Sequence, residues 1–274
     1  MTTPPSTTSF LPRPDGRVAF DVAGEGPLVV LVPGMGDLRS TYRHVVDALR
    51  AHGHRVAVTD LRGHGDSDTS FDAYGDEPTA GDLIALIEHL DDGPAVLVGN
   101  SMGAGAAVVA AAERPDLVQG LALLGPFVRD GSVGPVKRAL FRLAMARPWV
   151  RLVWRAYLPS LYAGQHPEDL DQHLRAIDES LRRHRHAAAF SRTSRTSHDA
   201  PEARLAVVRA PAIVLMGEQD PDFPEPRAEA EWIGEQLDAE VVMVPEAGHY
   251  PQSQRPDVVL AALTRFLSEV ALGA

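Results

Sequence analysis

The 274-residue chain contains no cysteine, which excludes disulfides, thiol nucleophiles and cysteine-ligated metals. It also lacks a basic excess. Lys and Arg number 26 against 37 Asp and Glu, a net charge of −11, so nucleic acid is not an expected partner. No stretch approaches the roughly 18 consecutive apolar residues of a membrane span. The start, MTTPPSTTSFLPRPDGR, has no apolar run, so a secretory signal is not expected and a cytoplasmic location is the default. Spaced metal ligands and a G-x-x-x-x-G-K-[ST] phosphate loop are both missing, so the sequence asks for no metal and no organic cofactor.

What remains is ordinary for a globular protein, with 45% apolar and 23% charged residues. The length allows one large domain. Residues 1–16 read as a loose arm and 17–22 as an edge strand. Residues 28–32 form an uninterrupted apolar run, the pattern of a strand buried on both faces. Ser40 is placed to cap a helix carrying Tyr42, Val45, Val46 and Leu49, and 55–59 is the next strand. The alternation continues with a helix at 79–90, a strand at 94–98, a helix at 102–113 and a strand at 121–124. It resumes with strands at 212–216 and 240–244 and helices at 225–237 and 256–270. Short apolar strands alternating with amphipathic helices predict an α/β fold with a mostly parallel sheet. Residues 127–205 break the rhythm, offering helical pieces at 137–154 and 170–186 and no buried strand. Such an insertion is expected to sit as a cap over the carboxyl edge of the sheet formed by 17–126 and 206–274.

Gly99-Asn100-Ser101-Met102-Gly103 follows an apolar strand and precedes an Ala-rich helix. That context turns a short G-x-S-x-G match into a candidate nucleophile on a sharp turn, against the plainer reading of Ser101 as a helix cap. A serine alcohol needs a base and a group that orients the base. Among 11 histidines, His249 lies in Glu246-Ala247-Gly248-His249-Tyr250, directly after a strand and therefore at the same sheet edge. The acid comes from Gly217-Glu218-Gln219-Asp220-Pro221-Asp222. Asp220 is favoured because it is nearer the strand end and precedes Pro221, while Asp222 stays open.

The order Ser101, Asp220, His249 is that of the α/β-hydrolase elbow, and further segments resemble this family across residues 20–126 and 206–270. Val32-Pro33-Gly34-Met35-Gly36 resembles the segment that carries one oxyanion N–H, with Pro33 where the family usually has His. The resemblance implies the Met35 and Met102 backbone N–H groups as the oxyanion pair. Asp60-Leu61-Arg62-Gly63-His64-Gly65-Asp66-Ser67 resembles the D-x-R-G-x-G-x-S segment, read as structural bracing, with His64 not the base. An eight-stranded-type sheet with a helical cap is the implied fold.

For this fold, Ser at the elbow argues against dehalogenases and epoxide hydrolases, which use Asp there, and implies acyl transfer. The expected substrate is a small ester or lactone. A carbon–carbon hydrolase of vinylogous diketo acids is the alternative, because Gly-Asn-Ser-Met-Gly resembles that elbow, although Tyr250 stands where those enzymes carry Trp. A binding, lyase or cyclase role also stays open. Gly34, Asn100, Phe127, Trp154 and Tyr250 are the expected pocket residues. Phe141, Met145, Trp149, Tyr157 and Tyr162 suit either a pocket or the cap's own core. Arg129, Arg155, Arg182, Arg183, Arg192 and Arg195 are either carboxylate holders or a solvated helix face. The expected partner is a small molecule, with a homodimer left open.

Overall fold

The computed structural model describes residues 8–131 and 135–273, the side chains of 135–138 excepted. Eight strands form one sheet: β1 (Ser9–Arg13), β2 (Gly16–Ala23), β3 (Leu28–Val32), β4 (Arg55–Thr59), β5 (Ala95–Asn100), β6 (Val118–Leu124), β7 (Ala212–Gly217) and β8 (Glu240–Val244). Their spatial order is β1-β2-β4-β3-β5-β6-β7-β8. The first two strands run antiparallel to their neighbours and the remaining pairs are parallel. All parallel strands therefore end on one edge, where open α/β sheets hold their ligands.

The predicted strand at 17–22 is lengthened by a residue at each end, but the arm is not loose. Ser9–Arg13 pairs with β2, from Ser9 opposite Phe20 to Arg13 opposite Gly16. Pro12 concealed this strand. An edge strand has a neighbour on one side only and tolerates a proline that a central strand would not. Residues 1–7 of the arm lie outside the described residues.

Two-residue periodicity divides the core. Along β3, Leu28, Val30 and Val32 join one apolar cluster while Val29 and Leu31 join the other. The first cluster is covered by α2 (Asp76–Leu90) and α3 (Met102–Glu113), the second by α1 (Val46–Ala51) and α11 (Pro256–Gly273). Helix α3 reads MGAGAAVVAAAE, and its small residues let it lie close to both the sheet and α2, buried over residues 102–111. Ser40 caps no helix; it lies inside a short 3-10 turn, Arg39–Tyr42, which precedes α1.

Between β6 and β7 lie α4 (Pro135–Ala144), α5 (Val150–Tyr157), α6 (Leu170–Arg182), α7 (His186–Thr193) and α8 (Asp199–Arg204), and no strand among the described residues. The piece expected as one helix over 137–154 is two, because Pro148 removes a backbone donor and interrupts the run. The piece at 170–186 likewise breaks after Arg182. This insertion has its own core of Met145, Val150, Trp154, Leu158, Ile177 and Phe190, shared with Tyr250 from the sheet-edge loop. Helix α9 (Pro226–Leu237) and the four-residue α10 (Pro251–Gln254) complete the chain. No helix among the described residues is long and apolar enough to cross a membrane.

Tyr42 is fully buried, and its hydroxyl donates to the Val32 and Val98 carbonyls at 2.8 and 3.2 Å, joining β3 to β5 where the edge loops begin. Tyr42→Phe leaves both carbonyls one partner short, an expected cost of about 1–2 kcal/mol. Thermal unfolding followed by circular dichroism should show Tm lower by roughly 2–8 °C; an unchanged Tm would remove this bond from the stability account.

Candidate active site

Ser101 sits between β5 and α3 with φ 56° and ψ −125°, a conformation that side chains rarely adopt. Such strain costs about 1–3 kcal/mol and persists only where surrounding structure enforces it. The flanking glycines are part of that enforcement. A Cβ on Gly103 would lie 2.6 Å from the Val32 and Pro33 carbonyl oxygens, and one on Gly99 would lie 2.5 Å from the Gly103 oxygen. The Ser101 N–H donates to Leu124 at 3.0 Å, and its carbonyl accepts from Phe127 N–H at 3.2 Å. Its hydroxyl makes no hydrogen bond among the described residues and faces a cavity of about 540 Å³. Catalytic contacts of this kind commonly tighten only when a substrate is bound.

His249 and Asp220 reach the same edge from the loops after β8 and β7. His249 Nδ1 and Asp220 Oδ2 are 2.8 Å apart, and both residues are buried. Asp222 Oδ2 lies 3.8 Å from the other ring nitrogen, Nε2, and Asp222 accepts a hydrogen bond from Tyr157. The two acids thus approach different nitrogens of one imidazole, and only Asp220 is placed to hold Nδ1. Burial pulls the His249 pKa down, but Asp220, helped by Asp222, more than reverses this and leaves it at about 9. Burial also raises the Asp222 carboxyl. Asp220, Asp222 and His249 bring ligand atoms within 4.8 Å of one another. A metal there would have to displace the proton that the two carboxylates favour.

The loop expected to carry an oxyanion donor is clamped on every side. Gly36 N–H donates to His64 Nε2 at 3.0 Å, and the Gly36 carbonyl accepts from Trp154 Nε1 at 2.9 Å. His64 Nδ1 meets the Arg62 carbonyl at 2.8 Å. Burial lowers the His64 pKa to about 4, so the ring stays neutral and can accept at Nε2. Asp60 binds the backbone N–H groups of Arg39 and Asp66 at 2.8 and 3.0 Å. Arg62 instead holds Asp82 on α2. Met35, next to the clamped glycine, lines the cavity. Gly34 lies behind it, close enough that a Cβ would meet Ser101 Cβ at 2.7 Å.

The expected pocket is corrected in part. Phe127, Trp154 and Tyr250 line the cavity; Gly34 and Asn100 do not. Asn100 is fully buried, and its Nδ2 donates to the Leu124 and His249 carbonyls at 2.9 and 3.0 Å. It ties the serine turn to the histidine loop. Tyr250 stacks on Tyr162 with centroids 4.7 Å apart. Of the six arginines considered, only Arg129 and Arg195 reach the cavity, and Arg129 is engaged by Glu229 and by Trp232 at 3.5 Å. Arg183 and Arg192 hold backbone carbonyls of the core, Arg182 pairs with Asp178, and Arg155 is exposed. His198 escaped the sequence reading. It lines the cavity, bonds Asp76 through Nδ1 at 2.8 Å and lies 5.5 Å from the Phe127 ring. Burial opposes its charge, but Asp76 outweighs that and raises its pKa. Its partner is distant in sequence, so no spacing could have marked the pair.

A larger cleft of about 730 Å³ lies between the 3-10 turn at 39–42 and α6. Its cations Arg39, Arg43 and Arg183 are occupied by Asp21, Asp60, Asp66 and Asp169. Ser40 on its wall has its hydroxyl 3.3 Å from His173 Nδ1, and His173 Nε2 meets the buried Asp37 carboxylate at 2.8 Å, but Ser40 sits in a 3-10 turn with no strained strand-to-helix elbow.

Residues 29–262 match the family described as the alpha/beta hydrolase family. The chain is 28% identical over 194 residues to 2-(acetamidomethylene)succinate hydrolase of Mesorhizobium japonicum, covering 69% of each protein. It is 31% identical to the dihydrolipoyllysine-residue acetyltransferase component of an acetoin cleaving system of Pseudomonas putida, covering 90% of this chain and 65% of that one. Among solved structures, a thermophilic esterase from Thermogutta terrifontis aligns with TM-score 0.76 and 25% identity over 97% of this chain and 99% of that one.

Removing the Asp222 charge should lower the His249 pKa. Nitrogen-detected NMR of the histidine rings is expected to show His249 titrating near pH 9, and at lower pH in Asp222→Asn. An unchanged midpoint would mean that the Asp222 charge is not felt at Nε2.

Proposed function

Because the chain belongs to the alpha/beta hydrolase family, we propose that it is a serine hydrolase cleaving a small ester or lactone through an acyl-enzyme. The observation that carries this reading is the 2.8 Å Asp220–His249 contact on the cavity that Ser101 faces from a strained turn. In the proposed reaction Ser101 Oγ attacks the acyl carbon as its proton passes to His249 Nε2. The tetrahedral oxyanion is received by the Met35 and Met102 backbone N–H groups, a pair of donors that can supply several kcal/mol. Collapse breaks the bond to the leaving alkoxide oxygen, which takes the proton from Nε2. Water then attacks the acyl carbon, giving its proton to Nε2, and the second collapse returns Ser101 with release of the acid. Asp220 orients the ring and stabilises its protonated form, and the helical insertion acts as the cap. The likeness to the thermophilic esterase supports this substrate class.

The carbon–carbon hydrolase alternative drew on the Gly-Asn-Ser-Met-Gly elbow, with Tyr250 already a departure from it. The Asn100 Nδ2 is taken up by two backbone carbonyls and Asn100 does not line the cavity, so this residue gives that chemistry no added support.

A short-chain p-nitrophenyl ester tests the proposal. Ser101→Ala should lose essentially all turnover together with labelling by a fluorophosphonate, and equal rates would end the assignment. Asp220→Asn should lower kcat by about 10⁴, whereas Asp222→Asn should retain turnover; the reverse result would exchange the roles of the two acids. The base must be neutral to accept the Ser101 proton. For wild type, kcat/KM should therefore climb with pH towards an inflection near 9, with the climb moved to lower pH in Asp222→Asn. A flat profile between pH 6 and 9 would contradict the raised His249 pKa.

A further inference from the structure

The outer surface of α4 and α5 is unlike the rest of the molecule. Of the nine large apolar side chains exposed among the described residues, six fall between residues 140 and 157: Leu140, Phe141, Leu143, Trp149, Leu152 and Tyr157. They share one neighbourhood, since Trp149 Nε1 donates to the Leu143 carbonyl and Phe141 and Tyr157 line the same cavity. Helix α5 is apolar on two sides. Val150 and Trp154 bury into the insertion's own core, while Leu152 points to solvent at 56% exposure.

The charges of this segment are equally one-sided. From residue 131 to residue 167 there is no Asp or Glu, yet there are six cations: Lys137, Arg138, Arg142, Arg147, Arg151 and Arg155, in a chain whose net charge is −11. Arg151 is held by Asp178, while Arg142, Arg147 and Arg155 are exposed and make no ion pair among the described residues. Large apolar groups interleaved with unneutralised cations describe a helix that lies in the plane of an interface, its apolar groups among acyl chains and its cations at anionic headgroups.

We propose that α4 and α5 form a peripheral docking surface for a lipid bilayer bearing anionic headgroups. A second copy of the chain is the poorer occupant, because a two-fold contact would set these cations against their own equivalents. Phe141, Arg142 and Tyr157 belong both to this surface and to the cavity wall, so docking turns the cavity mouth towards the lipid and favours amphiphilic substrates. The docking itself is independent of the chemistry assigned to Ser101.

Sedimentation with vesicles tests it. The full chain should bind phosphatidylcholine vesicles containing phosphatidylglycerol at least tenfold more tightly than phosphatidylcholine alone, and 0.5 M salt should weaken that binding. Trp149 fluorescence should shift to the blue on binding, and the shift should vanish in Trp149→Phe. Arg147→Glu/Arg155→Glu and Leu143→Ser/Leu152→Ser should each reduce binding more than tenfold while keeping the wild-type circular dichroism and rate on a soluble ester. Ser101→Ala should bind as wild type does, which separates this surface from the catalytic assignment. Absence of vesicle binding, equal binding to both compositions, or a stable dimer that shields Trp149 without lipid would overturn the proposal.

Discussion

The backbone of Ser101, held at φ 56° between β5 and α3, is the constraint on which the site is built. A side chain at Gly99 or Gly103 would strike carbonyl oxygens, and one at Gly34 would strike Ser101 itself. The three glycines let β3, β5 and α3 converge more closely than side chains would allow. That convergence brings the Met35 loop beside the Ser101 hydroxyl and the start of α3 beneath it. Its strain is offset by the two-sided burial of the central parallel strands, whose apolar faces fill both cores.

The second organising feature is the mutual dependence of the insertion and the sheet-edge loops. His249 N–H donates to the Leu161 carbonyl at 2.8 Å, and Gln254 binds the Ala163 and Gln165 carbonyls. Trp154 holds Gly36, and His173 on α6 meets buried Asp37 at 2.8 Å. The histidine loop and the Met35 loop are therefore each fastened to a helix or turn of the insertion. Movement of those helices would carry both loops with it, linking what the insertion touches outside to the geometry inside.

Electrostatics separate the three histidines that matter. His64 is buried without a carboxylate partner and stays neutral, a backbone acceptor. His249 is buried between two carboxylates and is driven the other way. His198 is paired with Asp76 and also favours its proton. Burial alone would depress all three, and the position of the nearest carboxylate decides which of them hold charge.

Local pattern carried much of this protein in the sequence. Apolar runs bounded by glycine and proline marked the central strands because those strands are buried on both faces, and the turn around Ser101 was legible because its strain demands glycine at fixed offsets. Asp220 and His249 were legible because each follows directly on a parallel strand. Strand β1 was hidden by a proline that only an edge position tolerates. Asn100, read as a pocket residue, proved to be a tie between loops, since the direction of a buried amide depends on carbonyls 24 and 149 residues away. The Asp76–His198 pair, the placement of Asp222 at Nε2, and which arginines reach the cavity depended likewise on how distant segments pack. Periodicity and turn chemistry are written in consecutive residues and determine the elements and their order. Which side chains meet, and therefore which hold protons and which face the cavity, is settled only when those elements close on one another.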